Sequence, residues 1–415
     1  MKRRKFIERS ASAFMLANFL PGCMLQDETK SYPYHGRGIQ YVEHSIIDPG
    51  LKITKIESFS KPEVAVVKVT TDIGMEGWGQ ISTYNADIAA TVLHRNIADK
   101  VIGKDPSQID AIVDTCFERN HKYPWSYVCR ALGGVDTAIW DLYGKIREMP
   151  VCELLGGKSL PVPIYGSSMS RSIKPNEEAD RMVRLRDEKG IRAFKFRIGK
   201  EVGHNVDAWP GRTEEIIKAL GTSLSDNCNL LVDANSCYTP DKAIHYGKMM
   251  EDYGIDQFEE PCPWWELEWT AEVTSALNMD VSGGEQDNDL AQWRRMIKMK
   301  AVDIVQPDIL YVGGITRALR VAKMAEEAGI QCIPHSANHC MVTVFTLHMM
   351  RAIPNPGKYL EFSIEYDDGI NKTARDLYTP ELTIHDGKLD LPPEPGWGVQ
   401  FQKDWLESAE YQVSE

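Results

Sequence analysis

The chain has 415 residues, of which 43% are hydrophobic and 26% are charged, a balance typical of a soluble globular protein. Its length exceeds one ordinary domain, so we expect two domains or one large barrel with an appendage. The formal net charge of −13 argues against nucleic acid or an anionic membrane surface as a partner. It does not exclude a small anionic substrate, because the field at a binding site is local.

The first 26 residues have the layout of an export signal. MKRRKFIERS is basic and carries a twin arginine, and the apolar run ASAFMLANFLPGC, too short to span a bilayer as a helix, ends at Cys23. The pattern predicts an exported, periplasmic protein, with a lipoprotein-like anchor at Cys23. The alternative is a basic, disordered start on a cytoplasmic protein. The nine cysteines include no CxxC pair and predict neither a disulfide framework nor a zinc site.

The next segments predict a small mixed domain. Residues 27–50 are polar and contain glycine and proline, which predicts a linker or an irregular flap. LKITKIESF and EVAVVKVTT then alternate like strands, and the pattern becomes helical from Asp87 to about Leu155. We therefore expect an α+β domain over 51–160.

From Val162 onward, short apolar strands alternate with amphipathic helices. The predicted strands are VPIYGS, AFKFRIG, LLVDAN, DQFEEP, DVSGGE, DIVQPD, QCIPHS and YLEFS. In one intervening helix Thr239 is placed to cap, Pro240 fits the first turn and Gly254 the end. Such alternation predicts a closed parallel α/β barrel over 161–363. An open doubly wound sheet is the alternative, but YGSSMSRS is not its usual glycine-rich phosphate turn.

Acidic residues end three consecutive predicted strands. Asp233 ends LLVDAN, Glu259 and Glu260 end DQFEEP, and Glu285 ends DVSGGE, one strand–helix repeat apart. The carboxyl ends of barrel strands form the mouth at which chemistry takes place. Three crowded carboxylates repel one another unless a cation offsets their charge. Oxygen ligands without a His/Cys cluster favour Mg²⁺, with Mn²⁺ as the alternative.

The later strands and the second strand add acid/base residues and cations. Asp308 ends DIVQPD, His335 ends QCIPHS, and Glu361 lies in YLEFS. On neighbouring strands, Asp308 would orient the imidazole of His335 and raise its basicity. In AFKFRIG, alternation places Lys195 and Arg197 on one face.

Several motifs occur together in a family-specific order: ALGGVDTAIWDLYGK, LLVDAN, FEEP, GGE, QPD, GGIT and PHS. With them the chain from about Leu51 to Trp405 resembles the enolase superfamily, in its mandelate racemase-like branch. The resemblance implies an N-terminal α+β capping domain, a (β/α)7β barrel, a C-terminal segment (364–415) returning to the cap, and a homo-oligomer. It also implies one Mg²⁺ per subunit, held by Asp233, Glu259 and Glu285, with Glu260 behind them.

The resemblance also implies roles for the remaining site residues. In this branch the second strand typically carries Lys-x-Lys, whose second lysine is a base opposite an Asp/His dyad, here Asp308 and His335. The residue matching Glu361 usually contacts the substrate carboxylate. The shared chemistry is removal of a proton α to a carboxylate, which requires fixed positive charge such as Lys195 beside the developing enediolate. Specificity is expected from the flap at 31–50 and from Tyr84-Asn85, while the role of His339 stays open.

Arg197 departs from the family pattern. Arginine stays protonated at any usable pH and is a poor base, so racemisation, which needs a proton donor and an acceptor on opposite faces, is disfavoured. Dehydration needs one base, and His335 can also assist the departing hydroxyl while Lys195 and Arg197 bind substrate. We therefore predict an acid-sugar dehydratase that forms a 2-keto-3-deoxy acid. The alternatives are a racemase, epimerase or cycloisomerase on the same scaffold, and a non-catalytic exported metal- or sugar-acid-binding protein.

Overall fold

The computed structural model describes residues 50–123, 125–367 and 369–415. The predictions about the export segment, Cys23 and the flap up to residue 49 lie outside the described residues and stay predictions. Within the described ranges, no helix combines the length and the hydropathy needed to cross a bilayer.

The N-terminal region, here called the cap, is an antiparallel sheet covered by helices. Its strands are β1 (Ile53–Ser60), β2 (Ala65–Thr71) and β3 (Glu76–Ile81). Its helices are α1 (Ala86–Val92), α2 (Ala98–Val101), α3 (Ile109–Arg119), α4 (Trp125–Ile146) and α5 (Val151–Leu154), with a π-helical turn at Leu93–Ile97 and a 3₁₀ turn at Pro106–Gln108. Gly77 and Gly79 let α4 approach β3, because a Cβ at either position would collide with the α4 backbone.

The second region contains eight parallel strands within the described ranges. They are β4 (Val162–Ser167), β5 (Ala193–Arg197), β6 (Asn229–Asp233), β7 (Gln257–Glu259), β8 (Asp280–Gly283), β9 (Ile304–Val305), β10 (Gln331–Cys332) and β11 (Leu360–Ser363). Neighbours pair in chain order from β4 to β10, and β11 returns to pair with β4. A bridge between Cys332 and Pro356 joins β10 to the segment that leads into β11. The closed parallel barrel is therefore confirmed, and the doubly wound alternative is wrong.

The barrel helices lie between these strands and shield their outer faces. They are α6 (Pro175–Lys189), α7 (Arg212–Leu224), α8 (Pro240–Asp252), α9 (Leu267–Ala276), α10 (Leu290–Met299), α11 (Ile309–Val312), α12 (Ile315–Glu327) and α13 (Met341–Met350). Thr239 stands at the predicted N-cap of α8, but its side chain does not cap; its hydroxyl bonds to Asn205 instead.

Helix α12 joins the barrel to the cap. It is buried on its barrel side and also on its opposite face, because it packs against α3 and α4 as well. On that face Arg320 donates to Asp114 and Asp110 of α3, each at 2.5 Å. This buried cation, with its two carboxylate partners, links the barrel to the cap.

The C-terminal segment contacts both regions. Its elements are α14 (Gly369–Ala374), β12 (Tyr378–Thr379), β13 (Ile384–His385), β14 (Lys388–Leu389), β15 (Gln400–Phe401), α15 (Lys403–Glu407) and β16 (Glu410–Ser414). Strand β16 pairs with β1 of the cap, whereas β14 pairs antiparallel with the barrel strand β4. The segment thus holds the outer edge of the cap sheet and one end of the barrel together.

Alternation along the strands determines which side chains enter the barrel. The apolar interior consists of one small layer: Tyr165, Ala193, Leu231, Ile304 and Ile333. Lys195 and Arg197 follow Ala193 at steps of two residues, so they point to the same side one and two levels nearer the mouth. Phe194 and Phe196 face outward and are fully buried in the larger core.

Candidate active site

The structure brings all eight predicted site residues to the carboxyl ends of the barrel strands. Across the sheet, Arg197 pairs with Asp233, and Asp233 pairs with Glu259, so one row crosses three strands. Every member of the set is at most 7% exposed: Lys195, Arg197, Asp233, Glu259, Glu285, Asp308, His335 and Glu361. The site is therefore a buried charged cluster, in which each interaction is stronger than it would be in water.

Lys195 is a fixed positive charge at the centre of the cluster. Its Nζ lies 2.7 Å from Oε1 of Glu259, 2.7 Å from Oε1 of Glu361 and 3.8 Å from Oδ2 of Asp233. Burial by itself lowers the pKa of Lys195, but these carboxylates outweigh it and hold the pKa well above its usual range. The amine is therefore an ammonium that can stabilise negative charge and cannot accept a proton.

Arg197 is bound to the side chain beside it in the row. Its guanidinium donates to Asp233 and Asn235 and, at 3.3 Å, to the carbonyl of Ser168. Burial lowers the pKa of Arg197, but Asp233 and the other carboxylates hold it above its ordinary value. A second guanidinium, Arg171, donates to the same Asn235 oxygen at 2.7 Å. Strand β5 thus presents cations, not a base, to this side of the mouth.

The dyad of Asp308 and His335 lies on the other side of the mouth. His335 Nδ1 donates to Asp308 Oδ2 at 2.8 Å, while Oδ1 accepts from the N–H groups of Leu310 and Tyr311 at the start of α11. Asp308 is thereby fixed and selects the tautomer with the proton on Nδ1. Nε2 then faces the cluster, 3.3 Å from an oxygen of Glu285.

The neighbouring carboxylates control the protonation of His335. Burial alone would lower the pKa of His335, but Glu285, Asp308 and Glu361 raise it to about 10. The imidazole holds its proton at neutral pH as long as these charges are not offset. A cation bound to the same carboxylates would weaken that field and free Nε2 to act as a base.

Carboxylates outnumber cations in the cluster. Burial, together with Asp233, Glu361 and Glu285, raises the pKa of Glu259 to about 8 in spite of Lys195. Burial and the same kind of repulsion raise the pKa of Glu260 well above its usual range. Oε1 of Glu260 is buried with no hydrogen-bond partner among the described residues. An orphaned carboxylate oxygen among like charges fits a site for a divalent cation.

The arrangement of the predicted ligands is set by protein cations. Within the described ranges, no three His, Cys, Asp or Glu side chains are grouped as a metal site. Asp233 faces Arg197, while Glu259 is held by Lys195 at one oxygen and by Gln306 Nε2, at 2.9 Å, at the other. As donors, the three carboxylates match a hard cation such as Mg²⁺. The predicted ligand set is therefore chemically suitable and stays a prediction.

Glu361 is enclosed instead of lining the mouth. It is fully buried and accepts hydrogen bonds from the Ser167 hydroxyl at 2.7 Å and from the Ser336 N–H at 3.0 Å. Burial raises the pKa of Glu361, but Lys195 and His335 hold it well below its usual range. An ionised carboxylate repels a substrate carboxylate, and here it positions Lys195. Contact of Glu361 with substrate stays a prediction.

His339 and Asn85, whose roles the sequence leaves open, contact residues outside the eight-residue cluster. His339 Nε2 lies 2.8 Å from the carbonyl of Ser363, and its ring stacks on Phe362 at 4.7 Å, which is a packing role. Tyr84 is 60% exposed at the end of β3, and the amide of Asn85 donates to the hydroxyl of Tyr127.

The sequence reading did not single out Arg171, Asn235 and Gln306 as site residues. Each lies in a motif at or beside a strand end, namely YGSSMSRS, LLVDAN and DIVQPD. Their polar side chains directly beside the mouth were the available signal. Neither alternation nor spacing could show that they bond to the charged residues.

The fold and this site define an enzyme of the capped (β/α)7β barrel class, with carboxylates, cations and an Asp/His dyad at the strand ends. The family described as Enolase C-terminal domain-like matches residues 177–405, and the mandelate racemase / muconate lactonizing enzyme N-terminal domain matches residues 42–156. The chain belongs to the enolase superfamily, in the mandelate racemase and muconate lactonizing enzyme branch.

Three curated relatives match most of the chain. It is 27% identical to the arabinonate dehydratase of Saccharolobus solfataricus, over 82% of this chain and 88% of that protein. It is 28% identical to the L-talarate/galactarate dehydratase of Salmonella typhimurium (82% and 81%). It is also 28% identical to the D-galactarolactone cycloisomerase of Agrobacterium fabrum (84% and 91%).

Two solved structures have the same fold over most of the chain. A protein from Roseobacter denitrificans, provisionally designated a racemase, is 54% identical with a TM-score of 0.86, covering 88% of this chain and 100% of that one. A mandelate racemase/muconate lactonizing protein from Paracoccus denitrificans PD1222, complexed with magnesium, is 28% identical with a TM-score of 0.78, covering 88% and 99%.

Proposed function

We propose that this protein is a metal-dependent hydro-lyase of an acid sugar. It removes the proton α to the carboxylate, eliminates the β-hydroxyl as water and yields a 2-keto-3-deoxy acid. One observation carries the proposal: the imidazole of His335 is oriented by Asp308 on one side of the barrel mouth, and strand β5, on the other side, presents a guanidinium bound to Asp233. This arrangement offers one base, His335, and no second base opposite it at Arg197. The names of the dehydratase relatives support the same reaction type.

The metal is Mg²⁺ by resemblance, one per subunit, with Asp233, Glu259 and Glu285 as the residues that would hold it. Bound there, it would act as a Lewis acid toward the oxygens that gain charge when the α-proton leaves. The excess of carboxylates and the orphaned oxygen of Glu260 support this assignment.

The protein residues perform the proton transfers. The ammonium of Lys195 attracts the substrate carboxylate and stabilises the charge that develops on it. Nε2 of His335 accepts the α-proton, while Asp308 holds the imidazole in place and stabilises its positive charge. The imidazolium then returns that proton to the departing β-hydroxyl on the same face, so water leaves and the enol becomes the keto acid.

The reaction type can be tested with the full chain, Mg²⁺ and a panel of aldonates and aldarates, with 2-keto acids as the measured product. We expect turnover by the wild type, loss of at least about 10³-fold in kcat in His335→Asn, and loss in Asp233→Asn. The matched control is His385→Asn, because His385 is exposed on β13.

Each other outcome identifies a different function. Substantial activity in His335→Asn would show that the base assignment is wrong. Exchange of the α-proton in D₂O without loss of water would favour a racemase, as the Roseobacter protein is designated, and ring opening of a lactone would favour a cycloisomerase. Metal-dependent binding with no turnover across the panel would leave a binding protein and reject the hydro-lyase.

A further inference from the structure

A cationic side chain of the cap reaches the edge of the active site. Arg130 lies on the second turn of α4, and its guanidinium carbon lies 3.6 Å from the ring centroid of Tyr311. Tyr311 belongs to α11, the single turn capped by Asp308, and its ring lies 6.1 Å from that of His335. Arg130 is therefore separated from the acid/base residue by one aromatic ring.

The charge of Arg130 has no carboxylate partner among the described residues. Its Nη1 donates to two neutral acceptors, the hydroxyl of Ser82 at 2.5 Å and the carbonyl of Thr83 at 3.2 Å. The other guanidinium nitrogens of Arg130 are not among the buried atoms that lack a hydrogen-bond partner, so any N–H group left unpaired there is accessible to solvent. Arg320, also at the junction of cap and barrel, instead meets two carboxylates. Arg130 thus presents a preorganised N–H edge that can take an anion.

The geometry points to the chemistry of that anion. The contact with the Tyr311 ring and the hydrogen bonds to Ser82 and Thr83 hold the guanidinium in place, and its planar fork of N–H groups matches a carboxylate. The guanidinium carbon of Arg130 lies 3.6 Å from the centre of the Tyr311 ring, which lies 6.1 Å from the centre of the His335 ring. The guanidinium and the imidazole are therefore no farther apart than these two distances together. A six-carbon acid whose α-carbon lies at His335 is long enough for its far end to reach Arg130. A substrate that fills both positions carries a carboxylate at each end.

We infer that Arg130 binds the distal carboxylate of the substrate and makes the enzyme selective for sugar diacids (aldarates) over the corresponding monoacids (aldonates). The inference rests on the proposed function, because it assumes an acid sugar reacting at His335. An aldonate ends in a neutral hydroxymethyl group and would leave the cation of Arg130 without a partner. Selectivity arises because a charged hydrogen bond is stronger than a neutral one.

A purely structural role for Arg130 makes a different prediction. The side chain also fastens the Ser82–Thr83 loop to α11, so its loss could loosen the cap. That loosening would weaken diacids and monoacids alike and lower the melting temperature. The ratio of the two affinities separates the roles, because only a direct contact with the second carboxylate changes it.

The test measures binding without turnover. Calorimetry in Mg²⁺ uses the His335→Asn protein as parent and a panel of aldarates with the aldonates that match them in hydroxyl configuration, galactarate with D-galactonate among them. The added change is Arg130→Met, with Arg130→Lys as the charge-retaining variant. Arg95→Met is the matched control, because Arg95 is an exposed cap arginine beside His94, which binds Ser414 of β16.

We expect the parent to prefer diacids, and Arg130→Met to reduce that preference about 10- to 100-fold, the range for one charged hydrogen-bonded contact. Arg130→Lys should recover part of the preference, and Arg95→Met should leave it unchanged. An unchanged ratio in Arg130→Met, or a parent that binds aldonates as well as aldarates, would overturn the inference. Dehydration of aldonates alone would also overturn it while sustaining the proposed function, and no binding by any acid would reject both.

Discussion

Replacement of Asp308 by asparagine separates the two tasks of this side chain. Its Oδ1 accepts from the N–H groups of Leu310 and Tyr311, and its Oδ2 accepts from Nδ1 of His335. An asparagine can keep its carbonyl oxygen on the two backbone N–H groups. Its NH₂ group then meets Nδ1 of His335, which must become an acceptor. The proton moves to Nε2, the atom that has to accept the α-proton of the substrate.

The two effects differ greatly in size. With Mg²⁺ present, where His335 is the neutral base, the fold loses only the charge at the start of one short helix and keeps both backbone hydrogen bonds, so the free energy of unfolding should fall by about 1 kcal/mol or less. Catalysis loses the correct tautomer and the charge that stabilises the imidazolium, which corresponds to a loss on the order of 10³-fold in kcat. KM should change by less than about threefold, because no contact with bound substrate is removed.

The assay combines steady-state formation of 2-keto acid with α-proton exchange in D₂O and urea unfolding of the same preparations. Asp105→Asn is the matched control, since Asp105 also accepts from two backbone N–H groups, those of Gly50 and Ser107, but lies in the cap. It should lose little stability and no activity. A kcat for Asp308→Asn within tenfold of the wild type would refute the tautomer argument. A large loss of stability would refute the argument that the asparagine keeps the two backbone hydrogen bonds at the start of α11.

Two further predictions concern charge. Without a divalent cation, folding raises the pKa of Glu259 from 4.5 to about 8 and the pKa of His335 from 6.5 to about 10. The folded protein therefore binds these two protons more tightly than the unfolded chain does. The stability that they provide is complete below the unfolded pKa values and is lost as the pH rises through 8 and 10. Mg²⁺ offsets the same charge, so the rise in melting temperature on adding Mg²⁺ should grow between pH 6 and 9, and a pH-independent rise would contradict this. Arg197→Lys keeps a cation beside Asp233, so dehydration should persist within about tenfold, with some new α-proton exchange visible by NMR in D₂O, because lysine can lose its proton. Loss of both activities would show that the guanidinium itself is required.

Much of the fold could be predicted because short-range sequence patterns determine its strands and helices. Period-two alternation within AFKFRIG places Lys195 and Arg197 inward, and the structure has both buried inside the barrel. Acids at the ends of successive strands must meet when the strands are parallel and in register, as Asp233 and Glu259 do. The sequence also predicts Thr239 at the N-terminus of α8, but it does not reveal that the Thr239 hydroxyl bonds to Asn205.

The enclosure of Glu361 shows what the sequence could not reveal. Its place in YLEFS predicts a residue at the mouth, and only the closure of β11 against β4 sets it beside Ser167 and Lys195. Arg130 is a stronger case, because α4 and α11 are far apart in the chain and no periodicity relates them. Such contacts depend on how the cap docks on the barrel, which is determined by packing between distant elements.

The sequence by itself determined the order of strands and helices, the face on which each strand-end residue lies, and the residue types available at the mouth. These follow from short-range periodicity and from the rule that parallel strands end together. Only the tertiary structure decided which charges meet: Arg197 with Asp233, Lys195 with Glu259 and Glu361, and Arg130 over Tyr311. The physical reason is that pairing in a buried cluster depends on distances of a few ångströms across strands, and a linear pattern does not contain those distances.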